Sequence, residues 1–237
     1  MQNRIYSLDN AKASKSVALG YLNAIHYMAP HDIAGVGNLC PYASPGCKAS
    51  CLGYYSGHAG MVKNDTDINS VRASRIAKAQ RFMRDRAAYL SDVVVATSRV
   101  LVKAQRENLT PVLRLNGSTD ISWERIPVMG NPSIIEMYSH VQFVDYTKNY
   151  MRFNRPLPAN YHLTFSLSED NHPYAKNLLS RGFNVAAVFR TLPTSWHGYP
   201  VINGDLHDLR HLDPKGVVVG LTPKGRKAKA DTTGFIL

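Results

Sequence analysis

Five short apolar segments, separated by helical or irregular stretches, limit most strongly what this chain can fold into. They are rich in β-branched and aromatic residues and are followed by polar residues, as strands are. The predicted strands cover residues 111–115, 141–146, 161–167, 184–189 and 217–221. Strands that alternate with helices indicate βαβ units and a parallel sheet. With this many units, we expect an α/β fold whose sheet closes, completely or partly, into a parallel (β/α) barrel.

A long helical pattern precedes the first predicted strand. Apolar residues recur every three or four positions from about Ser70 to about Asn108, and a β-branched run after Ser91 indicates a break there. The 237 residues suit one barrel-like domain, 1–237, that ends in a basic tail, 222–237. The chain has neither a run of 18 apolar residues nor the apolar segment of a secretory signal. We therefore expect a cytoplasmic protein without membrane contact.

All three cysteines of the chain lie close together on a long loop rich in glycine and proline, residues 31–70. They are Cys40, Cys47 and Cys51. Loops of this length inside a compact domain are usually functional. An odd number of thiols cannot close entirely into disulfides. Three thiolates leave a position open on a tetrahedral metal ion or on one iron of a cubane cluster, so this clustering predicts a metal site.

The spacing of the cysteines leaves the identity of the metal open. A zinc site needs a fourth ligand, which His58 would supply after Cys51, with His31 as another candidate upstream. The pattern C-x6-C-x3-C is looser than the paired C-x2-C motifs of structural zinc. A 4Fe–4S cluster would need only the three cysteines and would leave its fourth iron for a substrate or a cofactor.

Polar side chains follow successive predicted strands, which is where parallel α/β folds carry their chemistry. The segment Asn116–Asp120 follows the first strand, Asp145 and Lys148 mark the end of the second, and Ser166 and Glu169 mark the end of the third. Because this pattern repeats along the chain, we expect Asp120, Asp145, Lys148 and Glu169 to handle protons or substrate.

The formal net charge of the chain is +11, from 28 Lys and Arg against 17 Asp and Glu. This excess favours a polyanionic partner, with nucleic acid or a nucleotide as the first candidate. On the predicted helix, Arg72, Arg75, Arg81 and Arg84 form a spiral band. Such a band can follow a phosphate backbone, although a solvated helix surface would carry the same residues.

Several segments of the chain resemble a bacteriophage protein family related to mycobacteriophage gene product 88. The similarity begins near Leu22 and reaches the C-terminal residues 231–235. The segments that carry it are Asn38–Leu52, Leu113–Glu124, Val144–Lys148, Asn160–Glu169 and Gly204–Pro214. The resemblance implies a phage origin, a location in the host cytoplasm during infection, and a cysteine-rich loop that leads into a barrel.

The cysteine loop ahead of a parallel barrel also resembles the radical S-adenosylmethionine enzymes, although their common spacing is C-x3-C-x2-C. This resemblance implies a 4Fe–4S cluster on the three cysteines, with S-adenosylmethionine at its fourth iron. Asn116, Ser118 and Ser166 would position the S-adenosylmethionine. The reaction would be a radical abstraction of hydrogen from a nucleic acid or a nucleotide, with the cofactor supplying the difficult step.

Two other interpretations stay open. The deazaguanine DNA transglycosylases are similar in their phage origin and in combining a barrel with a Cys3His zinc and two catalytic aspartates. In that case His58 would complete the zinc site, and Asp120 and Asp145 would share the roles of nucleophile and acid/base. The last interpretation is a non-enzymatic, metal-stapled protein that binds nucleic acid or a host factor.

Overall fold

The computed structural model describes residues 4–8 and 11–237, and within these residues nine strands form one sheet. The strands are β1 Tyr6–Ser7, β2 Tyr21–His26, β3 Thr110–Arg114, β4 Gln142–Thr147, β5 Tyr161–Ser166, β6 Val185–Val188, β7 Ser195–Trp196, β8 Tyr199–Asn203 and β9 Val218–Leu221. They lie in the order β1-β2-β3-β4-β5-β6-β9-β8-β7. The strands from β2 to β8 in this order are parallel, whereas β1 and β7 run antiparallel to their neighbours.

The expected parallel (β/α) barrel is wrong, because the sheet is mixed and open. The outermost strands, β1 and β7, have two residues each and pair with β2 and β8 rather than with each other. Closure would require the two edges of the sheet to hydrogen-bond together. Helices also do not follow every strand. Short 3-10 turns at Tyr150–Asn154 and Arg210–Leu212 stand between β4 and β5 and between β8 and β9.

Four of the eight helices in the described residues lie between β2 and β3, as do the cysteines. The eight helices are α1 Ala11–Val17, α2 Pro45–Ala49, α3 Leu52–Tyr55, α4 Ser70–Arg84, α5 Arg86–Arg106, α6 Ile134–Met137, α7 His172–Ser180 and α8 Gly225–Lys229. Among the described residues, no helix combines the length and apolar character needed to span a membrane.

The long predicted helix is two helices, and its break lies at Asp85 rather than at Ser91. Asp85 ends α4, and its carboxylate caps α5 by accepting a hydrogen bond from the Ala88 amide at 3.2 Å. The Ser91 hydroxyl instead donates to the Ala87 carbonyl at 3.1 Å, one turn earlier in α5. A side chain that bonds back within the helix does not cap a new one.

The five predicted strands are confirmed to within one residue at each end, as β3, β4, β5, β6 and β9. The sequence analysis missed β2, although this strand is buried and pairs with β3 over five residues. Its pattern is interrupted by Asn23 and His26, which are polar but completely buried. Because the strand signal depends on apolar residues, two buried polar side chains in six positions conceal it.

The two faces of the sheet differ. One carries Leu113 and Phe143 in the main apolar core, which α5 and α7 help to cover. Side chains alternate along a strand, so Val112 and Val144 point to the other face, where they pack with Leu209. Toward the carboxyl ends of the strands, this second face becomes polar and faces the cysteine loop.

Candidate functional site

A cavity of about 220 Å³ lies at the carboxyl ends of the parallel strands, between the sheet and the cysteine loop. The loop and the strand ends both supply polar side chains to its wall. The chemically functional ones are His31, Cys40, Cys47, Lys48, Cys51, Arg114, Asn116, Ser118, Asp120, Tyr146, Lys148 and Ser166. The structure therefore brings all three cysteines together with most of the predicted strand-end residues. We call this space the cysteine cavity.

All three cysteines are free thiols. Cys40 is buried, and its sulfur accepts a hydrogen bond from the His31 amide at 3.3 Å and donates to the Ser118 carbonyl at 3.6 Å. Burial raises the pKa of the Cys40 and Cys51 thiols to about 12. Thiols in such surroundings are inert as nucleophiles unless a metal or a cation stabilises the thiolate.

The segment around Cys47 is held in place by a carboxylate from the turn that follows β5. Glu169 accepts hydrogen bonds from the Ser44 hydroxyl and the Gly46 amide, both at 2.7 Å. Ser44 in turn caps α2 by accepting from the Cys47 amide at 3.1 Å. A Cβ atom on Gly46 would lie 2.2 Å from the Thr233 hydroxyl, so only glycine fits there. Glu169, predicted to be catalytic, is thus engaged in positioning the cysteine loop.

The C-terminal segment closes over the same loop. The Asp231 carboxylate accepts hydrogen bonds from the Ser50 hydroxyl at 3.0 Å and the Thr233 hydroxyl at 2.8 Å. Gly53 packs against Ser118, which lies in the polar segment that follows β3. A Cβ atom on Gly53 would lie 2.3 Å from the Ser118 Cβ. The loop that carries the cysteines is therefore fixed from both sides.

Lys148 lines the cysteine cavity and interacts electrostatically with the cysteines. Its ammonium donates to the Ser166 hydroxyl at 2.9 Å, and its backbone amide donates to Asp120 at 2.8 Å. Burial lowers the pKa of Lys148, but negative charge at Cys47 and Asp120 outweighs it and raises that pKa above its usual value. A protonated lysine at this position favours an anionic sulfur or carboxylate inside the cavity.

The side chains of Asp120 and Asp145 do not face the same cavity. Asp120 lines the cavity and accepts a hydrogen bond from the Thr147 hydroxyl at 2.7 Å. Asp145 is buried on the other face of β4, where it accepts from the Asn116 amide at 2.7 Å and the Tyr161 hydroxyl at 2.8 Å. Burial raises the pKa of Asp145 to about 6. These bonds connect β4 to β5 and to the segment that follows β3, and Asp145 does not line the cavity.

The two histidine candidates are separated by the fold. His58 is exposed on a 3-10 turn, Gly57–Gly60, and does not line the cysteine cavity. His31 does line it, with Nδ1 2.5 Å from the Asp32 carboxylate and a buried Nε2 that has no hydrogen-bond partner among the described residues. A histidine oriented by a carboxylate in this way resembles the second-shell arrangement of metal ligands. Among the described residues, no group of three or more His, Cys, Asp and Glu side chains is arranged to hold one metal ion.

The predicted basic band on α4 is largely engaged in packing. Arg72 is completely buried, donates to four backbone carbonyls and lies 3.8 Å from the Tyr54 ring centroid. Arg75 is half-buried and donates to the Gly53 carbonyl, and Arg81 forms an ion pair with Asp92. Arg84 is exposed. The sequence could not show this, because the carbonyls that satisfy Arg72 come from a loop without a regular pattern.

The sequence analysis did not single out Arg114 and Tyr146, which also line the cavity. Arg114 lies 3.7 Å from Asp208 and 4.6 Å from the Tyr146 ring centroid. A signal was present for both. Arg114 is the lone charge in an apolar strand, and Tyr146 shares with Lys148 the period of two that puts side chains on one face.

Comparison with known proteins gives one match. A family model described as Gene product 88 matches residues 4–237. No curated protein and no solved structure is significantly similar to the chain.

Proposed function

Because that match covers nearly its whole length, the chain belongs to the Gene product 88 family of phage proteins, and we propose that it is an iron–sulfur enzyme. In this proposal the cysteine cavity holds a 4Fe–4S cluster on Cys40, Cys47 and Cys51, together with S-adenosylmethionine. The substrate is a nucleic acid or a nucleotide. When bound, this cofactor pair supplies one-electron chemistry that protein side chains cannot perform.

The single observation that carries the proposal is the convergence of the three free thiols on one cavity at the carboxyl ends of the parallel strands. Cys40 approaches from before α2, Cys47 lies within it and Cys51 follows it. A 4Fe–4S cluster takes one thiolate on each of three irons, so its ligands surround the cluster instead of meeting at one point. The presence of three thiols in the wall of one cavity supports such an arrangement.

The other cavity residues suit a charged small molecule beside the thiols. Lys148 and Arg114 would bind a carboxylate such as that of S-adenosylmethionine. Ser118 and Ser166 present hydroxyls to the same space, and Asn116 holds the strand end that carries Ser118. Asp120 would orient Lys148 by accepting the hydrogen bond that the Lys148 backbone amide donates. In this proposal these residues bind and orient the small molecule.

A base-exchange reaction with paired aspartates finds no support in a specific contact. Asp145 would have to reach the substrate, yet it lies on the far face of β4 and is held by Asn116 and Tyr161. His58 would have to complete a zinc site, yet it lies outside the cysteine cavity. We therefore put forward no second enzymatic function.

The test is anaerobic purification of the full chain, followed by iron, sulfide and zinc analysis and a visible spectrum. We expect a brown protein with about four irons per chain, and loss of both colour and iron in each of Cys40→Ala, Cys47→Ala and Cys51→Ala. His58→Ala is the matched control from the same loop and should keep its iron. Reductive cleavage of added S-adenosylmethionine by the loaded protein would complete the assignment.

A colourless protein would contradict the proposal, above all one that binds about one zinc per chain in a closed four-ligand site. Loss of that zinc in His31→Ala but not in His58→Ala would identify the histidine ligand. Such a result would indicate that the metal is structural and that the chain is a metal-stapled protein that binds nucleic acid or a host factor. Retention of iron in all three cysteine variants would also overturn the assignment of the ligands.

A further inference from the structure

A second cavity, of about 760 Å³, shares Leu52 with the cysteine cavity. One wall is a face of α4, since Ser70, Ser74 and Lys78 recur at four-residue spacing and all line it. Tyr27 and Arg75 also line it. Its volume is in the range of cavities that take nucleotide-sized ligands. No residue assigned so far to the cysteine cavity, except Leu52, belongs to this second cavity.

Two cations in this second cavity, Arg75 and Lys78, pair with no carboxylate in the described part of the chain. Arg75 lies 4.4 Å from the Tyr27 ring centroid and donates to the Gly53 carbonyl. Lys78 is only 7% exposed, and its ammonium donates to the Arg4 carbonyl at 3.3 Å. Burial, helped by the charge of Arg75, lowers the pKa of Lys78 to about 8.

A buried ammonium without a counter-ion is unfavourable. Elsewhere on the rim of the same cavity the chain does provide a partner, since Lys224 pairs with Asp205 at 2.9 Å. At Arg75 and Lys78 it provides two adjacent positive charges and, nearby on α4, the hydroxyl groups of Ser70 and Ser74. Cations and hydroxyls on one wall are the groups that proteins use to bind phosphate.

We propose that this second cavity binds the phosphate group of the substrate, either of a nucleoside monophosphate or of a nucleic-acid strand. The phosphate would supply the negative charge that Arg75 and Lys78 lack. Arg75 also bonds to the backbone of Gly53, which lines the cysteine cavity. Because Leu52 lines both cavities, the sugar or base of a nucleotide whose phosphate lies on Lys78 would point past Leu52 toward the cysteine cavity.

This inference names the substrate class of the proposed function and rests on that function for the reaction, but not for the binding. The binding test uses the full chain and two probes, a fluorescein-labelled single-stranded oligonucleotide and an unlabelled nucleoside monophosphate as competitor. Fluorescence anisotropy gives the affinity of the first and the competing strength of the second. Iron content is measured on the same preparation, so failure of the cluster and failure of the phosphate site are separate results.

The variant is Lys78→Met, which keeps the length of the side chain and removes its charge, so the fold should be preserved. Lys176→Met on the exposed face of α7 is the matched control. We expect Lys78→Met to weaken binding about tenfold, the effect of losing one charge-assisted hydrogen bond, and Lys176→Met to leave it unchanged. Circular dichroism checks the fold, and Lys78→Gln replaces Lys78→Met if the latter is unfolded.

Full competition by the nucleoside monophosphate would identify a mononucleotide as the source of the phosphate. Binding of the oligonucleotide that the monophosphate does not displace, but that Lys78→Met weakens, would identify a strand. Equal oligonucleotide affinities of Lys78→Met and Lys176→Met would overturn the inference. So would the absence of binding to both probes.

Discussion

Neighbouring residues on one strand can have opposite roles. Tyr146 on β4 and Lys148 just beyond its end face the cysteine cavity, whereas Asp145, directly before Tyr146, faces the core. The period of two along a strand explains this difference. The prediction that Asp145 handles protons assumed that all polar residues at a strand end face the same space, and the structure places Asp145 on the other side.

The pKa of Asp145, which burial raises from 3.8 to about 6, predicts a pH dependence of stability. The folded state holds this proton more tightly than the unfolded state, so the free energy of unfolding falls as pH rises through this range. The loss amounts to at most about 3 kcal/mol, at about 1.4 kcal/mol for each pKa unit. Asp145→Asn does not titrate, so its stability relative to the native chain should rise between about pH 4 and about pH 7.

Urea unfolding of both proteins at the two pH values measures this difference. Asp213→Asn serves for comparison, because burial also raises the pKa of Asp213 to about 6. The stability of Asp213→Asn relative to the native chain should likewise rise with pH. The stability changes of Asp145→Asn and Asp213→Asn should add if the two sites are independent. A constant difference between Asp145→Asn and the native chain across the range would contradict the prediction.

Short elements in this protein depend on contacts from distant parts of the chain. Helix α2 has five residues, too few to be stable alone, and Cys47 lies within it. Its first turn is held by Glu169, 123 positions later in the chain than Gly46. Likewise Arg72 anchors α4 to the loop before it through backbone carbonyls. These side-chain bonds hold the long loop in addition to the backbone hydrogen bonds of its own turns.

Glu169→Gln should loosen α2 and weaken metal retention. Glutamine keeps one oxygen, so one of the two hydrogen bonds from Ser44 and Gly46 is lost, together with the negative charge. We expect a loss of about 1–3 kcal/mol in the free energy of unfolding. We also expect metal affinity about 10- to 100-fold lower, as for other residues that orient metal ligands. The rate of iron loss to a chelator measures the second effect.

Asp170→Asn is the control for Glu169→Gln, since Asp170 is the next residue, is exposed and bonds to Ser168. Its iron should leave at the rate seen in the native chain. If Glu169→Gln and Asp170→Asn retained iron equally well, Glu169 would have no part in positioning the cysteines.

Across the whole molecule, the last residues of the chain complete the cysteine cavity. Phe235 lines it, and Ile236 forms a bridge with Val188 of β6. Asp231 binds the Ser50 hydroxyl, 181 positions earlier in the chain. The N-terminal loop and the C-terminal segment therefore form one site, although the sequence analysis treated residues 222–237 as a basic tail.

Asp231→Ala should expose the thiols. The substitution removes the acceptor of hydrogen bonds from Ser50, Thr233 and the Ile236 amide. Each such bond to a charged group contributes about 1.5–3 kcal/mol, so local opening should allow alkylation of Cys51 at least about tenfold faster. Mass spectrometry of the metal-depleted protein treated with iodoacetamide follows the labelling.

Lys229→Ala changes an exposed residue of the same segment and should leave the labelling rate unchanged. Equal labelling of Cys51 in Asp231→Ala and in the native chain would show that the C-terminal segment does not hold the loop closed.

The amino-acid sequence alone was enough to predict the five central strands, the clustering of the three thiols and the membership of the phage family. The period of apolar residues and the spacing of the cysteines are local properties of the sequence, so they can be recognised without knowledge of the fold. By contrast, the three-dimensional fold was needed to show that the sheet is open, that Asp145 faces the core and that Arg72 is buried. Closure depends on how two distant edges meet, and the role of a charged side chain depends on which distant groups satisfy it. Some of these contacts join residues more than a hundred positions apart, as between Glu169 and Gly46. Others are nearer, such as the carbonyls that satisfy Arg72, but they too follow no local sequence pattern.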